Sequence, residues 1–239
     1  MQETVGRQPR LVHDAINGRN ALRFDGDDYL ASSQTNTLPN AGRGLTIFMV
    51  ATGDQSGDRA ARAAQLGAAA GTNGGVVGAD LSDGETGVRF NNGAAVYDAN
   101  YDPNDFHIFV FQIDHQAPYD SAKLFVDGTT EANTFTGLAS AAGMTNFSGS
   151  TLELLLGTGR LNTGAIATGD YFVGDIAELL VYNEQMTELE INLVANYLSS
   201  EYALHFAYDT SSAVPEPTAA VALPVLLGVL GRRRRHRSA

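Results

Sequence analysis

The chain has 239 residues, no cysteine, no tryptophan and a formal net charge of −12 at pH 7. The lack of cysteine excludes a disulfide framework, thiolate catalysis and sulfur-ligated zinc. Five arginines and one glutamate lie from residue 214 onward, so residues 1–213 carry ten basic and 26 acidic residues, a net charge of −16. Such an acidic body repels nucleic acid and anionic membrane surfaces, which excludes nucleic acid as a partner.

Short runs rich in β-branched and aromatic residues predict antiparallel strands along this body. In chain order they cover residues 45–51, 76–81, 110–113, 123–126, 151–156 and 172–182. Asp127-Gly128 is typical of the tight turn that closes a hairpin. The last run places Ile176, Glu178, Leu180 and Tyr182 on one face and Ala177, Leu179 and Val181 on the other. Bulk on both faces predicts a central strand that is covered on both sides.

The alanine-rich segment at residues 59–70 favours a helix by propensity alone. It lies between two predicted strands, however, and sheet context can override local preference. We therefore expect a strand at residues 63–67.

One helix is predicted at the end of the domain. Thr187 and Glu190 have the spacing of a capping box, and Met186 and Ile191 have that of a hydrophobic staple. An apolar stripe at helical spacing follows, formed by Ile191, Val194, Tyr197 and Leu198. The stripe predicts a helix that docks on a β-sandwich. Residues 1–207 then form one all-β domain, and residues 208–217 are a polar, proline-ended linker.

The C-terminus has a different character from the body. The linker ends in Val214, Pro215, Glu216 and Pro217, and the uncharged residues 218–231 are rich in Ala, Val and Leu. Fourteen residues are fewer than the roughly 20 that span a hydrocarbon core, yet flanking arginines can snorkel to the headgroups. These are Arg232, Arg233, Arg234, Arg235 and Arg237. Residues 218–231 are therefore predicted to be a transmembrane helix, and the positive-inside rule predicts that residues 232–239 are a cytoplasmic tail. The alternative is a buried core helix followed by a solvated basic tail.

This order of features resembles the PEP-CTERM sorting signal of bacteria that make exopolysaccharide. The resemblance implies that an exosortase, a membrane processing enzyme, acts near Pro215-Glu216-Pro217. It also implies an exported domain, held transiently in the membrane and then placed at the cell surface or in the extracellular matrix. The first residues lack the apolar region of a signal peptide, so we expect a signal upstream of Met1.

The body resembles a bacterial laminin-G-like domain, a concanavalin A-like jelly-roll β-sandwich. Three stretches carry the resemblance: residues 20–30, residues 45–50 and residues 174–183, the last leading into the capped helix. Members of this family usually show a strand before the Leu-Arg-Phe-Asp-Gly motif at residues 22–26. No such strand is recognisable in the sequence, so we expect it upstream of Met1 as well.

The family resemblance implies ligand binding, often of glycans and sometimes with calcium. Asp25, Asp27 and Asp28 lie in a predicted turn, where carboxylates and carbonyls can hold Ca²⁺. The alternative is that Asp25-Gly26 makes the turn and the other carboxylates are solvated. Tyr97 and Tyr101, with Tyr119, lie in predicted loops and are candidates for stacking on extracellular polysaccharide. The alternative is that these tyrosines cover the edge of the sandwich.

No catalytic motif is recognisable. A glucanase on this fold needs two carboxylates alternating along a strand, and the chain has no Glu-x-Asp-x-x-Glu run. The five histidines lack metal-ligand spacing, and no nucleophile elbow or phosphate loop occurs. The sequence therefore predicts a non-enzymatic carbohydrate-binding or adhesion module. The alternatives are a structural surface protein without a specific ligand and a glycoside hydrolase-like enzyme.

Overall fold

A computed structural model describes residues 5–32, 44–54, 61–67, 77–82, 85–90, 93–97, 101–130, 133–137, 153–159, 166, 169 and 171–210. These residues form fourteen strands, one helix and two 3₁₀ turns. The strands are β1 (Arg10–Ile16), β2 (Arg19–Asp25), β3 (Leu30–Ala31), β4 (Leu45–Ala51), β5 (Arg62–Gly67), β6 (Val77–Ser82), β7 (Glu85–Phe90), β8 (Gly93–Tyr97), β9 (His107–Ile113), β10 (Lys123–Val126), β11 (Thr129–Thr130), β12 (Asn133–Gly137), β13 (Glu153–Leu156) and β14 (Val173–Tyr182). The helix, α1, is Glu188–Glu201, and the 3₁₀ turns are Val5–Arg7 and Tyr119–Ser121.

The strands form two seven-stranded antiparallel sheets. The first sheet has the order β1-β2-β14-β4-β9-β10-β11, and the second has the order β12-β8-β7-β6-β5-β13-β3. Side chains of both sheets meet in one apolar cluster, which includes Leu45 and Met49 of the first sheet and Leu66 and Val88 of the second. Each such side chain contributes about 1.5–3 kcal/mol when it is fully buried. The predicted all-β sandwich with one C-terminal helix is confirmed.

The helix covers the outer face of the first sheet. Phe48 and Val110 on that face share a second apolar cluster, the outer cluster, with Ile191, Ala195 and Leu198 of α1. Strands β4 and β9 are therefore covered on both faces, and every residue in them is buried. This double coverage explains why both strands are continuous apolar runs rather than alternating ones.

The predicted start of the helix is confirmed. Thr187 Oγ1 accepts a hydrogen bond from the backbone N–H of Glu190, and the Glu190 carboxylate accepts one from the backbone N–H of Thr187. The predicted apolar stripe is wrong at Tyr197, which is 61% exposed. Ala195 takes its place in the interface, because the buried face follows positions i, i+4 and i+7 from Ile191.

After the helix the chain turns back over the same outer face. Ala203 and His205 adopt positive φ angles of 50° and 61° at this turn. Leu204, Phe206 and Tyr208 then contact the outer cluster. We call residues 203–210 the strap. Asn192 Nδ2 donates to the carbonyl oxygen of Asp209 at 2.9 Å, so the first residues of the predicted linker lie against the domain.

The expectation that no strand precedes residues 22–26 is wrong. Strand β1 pairs with β2 in antiparallel register, with Leu11 opposite Leu22 and Arg10 opposite Arg23. The sequence pattern fails here because β1 is the edge strand of its sheet and most of its side chains are exposed. An edge strand needs no regular apolar alternation.

Strand β14 is central, as predicted, and lies between β2 and β4. The predicted facing of Ile176 is wrong, however. A bulge between Ile176 and Glu178 shifts the register. Ile176 therefore joins Leu179 and Val181 in the core between the sheets, while Leu180 faces the helix. A bulge inserts one extra residue and so reverses the alternation beyond it.

The strand expected within residues 63–67 is confirmed as β5. Ala63 and Ala64 are buried between the sheets, where only small side chains pack, so tertiary context overrides their helical propensity. Residues 218–231, the predicted transmembrane helix, lie outside the described residues. Within the part of the chain that the structure describes, no helix is long and apolar enough to cross a membrane.

Candidate functional site

Three aspartates gather where β2 ends. Gly26 has a φ of +101° and turns the chain out of the strand. Asp25, Asp27 and Asp28 each offer a carboxylate oxygen, and these oxygens lie within 4.8 Å of one another. Asp25 and Asp27 are exposed, whereas Asp28 is buried with 4% of its surface exposed. We call these three residues the acidic cluster.

Burial makes Asp28 the unusual member of the cluster. Its Oδ2 accepts a hydrogen bond of 3.3 Å from the backbone N–H of Asp25. Burial, and then the neighbouring charge of Asp25, raise the pKa of Asp28 above its usual range. Both causes penalise the ionised carboxylate, and a bound cation would offset both.

The acidic cluster fits the donor set of calcium. Ca²⁺ takes six to eight oxygen ligands at about 2.3–2.6 Å, so two ligand oxygens on opposite sides lie about 5 Å apart. The 4.8 Å limit on the carboxylate oxygens is compatible with that span. Three carboxylates with no sulfur or imidazole donor favour a hard cation over a transition metal. The calcium assignment itself stays a prediction.

Strand pairing shows which other residues share this end of the sandwich. Val173, at the start of β14, is paired with Asp25. Asp54, which follows β4 and is 1% exposed, accepts a 2.8 Å hydrogen bond from the Val173 backbone N–H. The Asp54 N–H donates to the carbonyl oxygen of Leu81, and the Tyr101 hydroxyl donates to the same oxygen at 3.2 Å. A continuous network therefore links Tyr101 to the acidic cluster.

Two of the three predicted tyrosines lie at this end. Tyr97 is the last residue of β8 rather than a loop residue, and it is paired with Thr86. Thr86 Oγ1 makes a short hydrogen bond with the Tyr101 hydroxyl, so the two tyrosine positions are neighbours. Tyr119 follows β9 and precedes β10, and the pairing of these strands places it at the opposite end. All three stay predictions as ligand contacts.

The ring of Tyr101 is tied into the domain. It makes edge contacts with His107 and Phe109, each with a centroid separation of 5.1 Å. Gly53 lies so close that a Cβ there would be 2.9 Å from the Tyr101 ring. Tyr101 is half-buried as a result, and only the remaining part of its ring is open to a ligand.

The structure adds a buried histidine to this end. His107 opens β9 and has 9% of its surface exposed. Its Nδ1 lies 2.6 Å from Asp127 Oδ2, and its Nε2 lies 2.9 Å from the carbonyl oxygen of Asp102. Burial lowers the pKa of His107, but the hydrogen bond and charge of Asp127, the Asp102 carbonyl and the charge of Asp105 outweigh it and raise the pKa.

Sequence reasoning missed this histidine because its partners are distant in the chain. Asp127 was recognised only as a turn residue. It does form that turn with Gly128, both at positive φ, but its Oδ1 also accepts a hydrogen bond from the Ile108 backbone N–H at 2.8 Å. A histidine at the start of a continuous apolar strand was the only available signal, since such a position is buried.

A carboxylate–guanidinium pair supports the strand that carries the cluster. Arg23 Nε donates to Asp175 Oδ1 at 2.7 Å, and its Nη2 donates to Oδ2 at 2.6 Å. Glu178 instead accepts a hydrogen bond from the Tyr202 hydroxyl at 2.9 Å. Asp175 therefore ties β14 to β2, and Glu178 ties β14 to the end of the helix.

No protein-family model matches the chain, and comparison with curated proteins gave no match. Solved structures do match. The receptor binding domain of botulinum neurotoxin mosaic serotype C/D has a TM-score of 0.51 at 8% identity, covering 80% of this chain and 45% of its own. A structure of NanB with Optactamide has a TM-score of 0.50 at 14% identity, covering 72% of this chain and 27% of its own.

A heptameric SAP-like pentraxin from Limulus polyphemus has a TM-score of 0.49 at 15% identity, covering 72% of this chain and 80% of the pentraxin. The chain spans less than half of the neurotoxin and NanB chains. At such identities, likeness establishes the β-sandwich fold and does not establish an activity.

Proposed function

We propose that this chain is an exported, non-enzymatic module that binds extracellular polysaccharide in a calcium-dependent way. The observation that carries the proposal is the acidic cluster, with one of its three carboxylates buried at a cost in solvation. A second observation supports it, since Tyr101 is joined to the same end of the sandwich through Asp54.

Asp25, Asp27 and Asp28 would hold the calcium, with backbone carbonyl groups supplying further oxygens. When bound, the cation supplies coordination sites that hydroxyl oxygens of a sugar can fill. The exposed carboxylates of Asp25 and Asp27 leave the cluster open to solvent on one side. Tyr101 would contribute the open part of its ring at the same end of the sandwich, Tyr97 is a candidate by its strand position there, and Tyr119 lies at the opposite end.

A structural role without a specific ligand is the second candidate. The observation that favours it is the packing of Tyr101, whose hydroxyl and ring edges already have partners inside the domain. A tyrosine placed in this way stabilises the end of the sandwich whether or not a ligand binds.

Binding to a glycan array separates these two candidates. The full-length chain is applied with calcium and then with chelator, and Asp28→Asn is compared with Asp14→Asn. Asp14 is exposed and lies at a positive φ that asparagine also adopts, so its variant is a matched control. We expect the wild-type chain to bind glycan in the presence of calcium. Chelator and the Asp28→Asn substitution should each abolish this binding, and Asp14→Asn should preserve it. Failure of the folded wild-type chain to bind in either condition would support the structural role.

We also propose that the C-terminus directs export and sorting. Three parts of the C-terminus lie outside the described residues. They are the motif Val214, Pro215, Glu216 and Pro217, the apolar residues 218–231, and the arginine cluster. In the sequence, three residues separate them from the strap, which lies against the domain. The expected location is the membrane at first, and after exosortase action the cell surface or the matrix.

Processing in a bacterium that has an exosortase tests this second part. Replacing Glu216, or deleting residues 232–237, should leave the full-length precursor in the membrane fraction, as read by immunoblot. Wild-type processing of both variants would refute the sorting proposal. Replacing Asp28 should leave processing unchanged, because the binding site plays no part in sorting.

A further inference from the structure

The strap contacts a buried histidine through Phe206 and the turn beside that histidine through Tyr208, and neither strap residue belongs to the proposed binding site. The ring of Phe206 stacks on the ring of His107, with centroids 6.4 Å apart and planes inclined by 17°. The ring of Tyr208 packs on Gly128, where a Cβ would lie 3.1 Å from a ring carbon. Gly128 is in the turn that also contains Asp127, the hydrogen-bond partner of His107.

Both ring nitrogens of His107 face oxygen acceptors. Nδ1 is 2.6 Å from a carboxylate oxygen of Asp127, and Nε2 is 2.9 Å from the backbone carbonyl oxygen of Asp102. A carbonyl has no proton to give, and an ionised carboxylate has none either. Only the doubly protonated imidazolium can donate at both positions. A neutral ring would point one nitrogen lone pair at an oxygen lone pair.

We propose that protonation of His107 locks the strap on the domain, and that loss of this proton loosens it. Deprotonation breaks one of two buried hydrogen bonds, so the ring or one of its partners must move. Movement of the ring disturbs its stack with Phe206. Movement of the turn at Asp127 and Gly128 disturbs the packing of Tyr208 on Gly128.

The charged groups around the ring act in the same direction. The Asp127 carboxylate approaches from the turn after β10. The segment before β9 brings the charge of Asp105, the carbonyl oxygen of Asp102 and the uncharged ring of Tyr101. From the strap, the group that meets the ring is the uncharged Phe206. The pKa of His107 is raised above its ordinary 6.5. The lock is therefore complete below about pH 6.5 and is lost as the pH rises through the raised pKa.

The lock adds to other contacts of the strap. Leu204, Phe206 and Tyr208 pack on the outer cluster, and Asn192 Nδ2 donates to the carbonyl oxygen of Asp209. The Leu204 N–H donates to the carbonyl oxygen of Ser199, and Ser199 Oγ exchanges 3.0 Å hydrogen bonds with the backbone of Phe206. These bonds hold the first half of the strap to the end of α1. Local opening of such a short peripheral segment requires far less free energy than global unfolding.

Hydrogen exchange in the full-length chain tests the proposal. Protection factors, corrected for the intrinsic exchange rate at each pH, are measured for peptides covering residues 203–210 and, as a reference, residues 45–51. Between pH 5.5 and pH 9 we expect strap protection to fall about tenfold, the equivalent of one charge-assisted hydrogen bond, while the reference stays constant.

Variants separate this histidine from others. Asp127→Asn should move the fall in strap protection to lower pH, because it removes the charge that favours the imidazolium. His107→Gln should abolish the pH dependence. His205→Asn is the matched control, since His205 is an exposed strap residue at positive φ, and it should behave as wild type.

A wild-type strap whose protection is the same across the pH range would overturn the proposal. So would a fall that Asp127→Asn leaves at the same pH, or one that His205→Asn abolishes. The wild-type profile gives an answer even if His107→Gln does not fold. Because calcium and glycan play no part in the readout, the outcome is independent of the proposed function.

Discussion

Gly157 is the residue where the end of β13 meets the acidic cluster. It has a φ of +81°, and a Cβ there would collide with the Phe24 ring and lie 2.8 Å from the carbonyl oxygen of Asp28. Gly18 has a nearly identical φ of +84° but has nothing within 4 Å of a built Cβ. The two glycines therefore separate backbone strain from close packing.

We expect Gly157→Ala to lower the free energy of unfolding by about 2–4 kcal/mol, the sum of left-handed strain and overpacking. Gly18→Ala should lower it by only about 1 kcal/mol, from strain alone. Urea denaturation followed by circular dichroism measures both. Equal losses in the two variants would show that contact with Phe24 and Asp28 is unimportant.

Residues close in sequence were the ones that sequence reasoning could place together. Asp25, Asp27 and Asp28 lie within one turn, so their proximity does not depend on the fold. The partners of Tyr101 and His107 are Thr86 and Asp127, which become neighbours only through strand pairing. The short range of the sequence pattern explains why the cluster was predicted and the network around it was not.

At the scale of elements, the capped start of α1 fixes where the helix docks. Thr187 and Glu190 satisfy two backbone N–H groups reciprocally. Met186, directly before the cap, shares the outer cluster with Ile191 and has its carbonyl bonded by Gln112 Nε2 at 2.6 Å. Cap and docking contact are therefore adjacent.

Thr187→Ala should cost about 1 kcal/mol of domain stability, the usual effect of losing an N-cap side chain. Thr187→Ser keeps the hydroxyl and should cost much less. Thermal unfolding of both variants provides the comparison. An alanine variant as stable as the serine variant would mean that sheet packing alone holds the helix in place.

Strands could be predicted from the sequence where the core or the helix covers at least one of their faces, and less well where most side chains are exposed. Strands β4 and β9 are continuous apolar runs because the core covers one face and α1 the other. Strand β1 was missed because it is a mostly exposed edge strand. The bulge in β14 has no sequence signature in this chain, so the facing of Ile176 could not be predicted.

For the whole molecule, the two faces and two ends have different roles. On the outer face of the first sheet, α1 and the strap cover β4 and β9. The acidic cluster, Asp54 and Asp127 lie at one end, where β2, β4 and β10 finish. These carboxylates carry part of the net charge of −16 of residues 1–213, and they lie at the end where the proposed cation would bind.

Calcium binding by the full-length chain tests the central claim most directly. Titration calorimetry should give one Ca²⁺ per chain with a Kd of about 10⁻⁴–10⁻³ M, the range of extracellular modules. Saturating calcium should also raise Tm, because the ion binds only the folded state. Asp28→Asn should lose both effects. No heat of binding and no change in Tm at millimolar calcium would contradict the account.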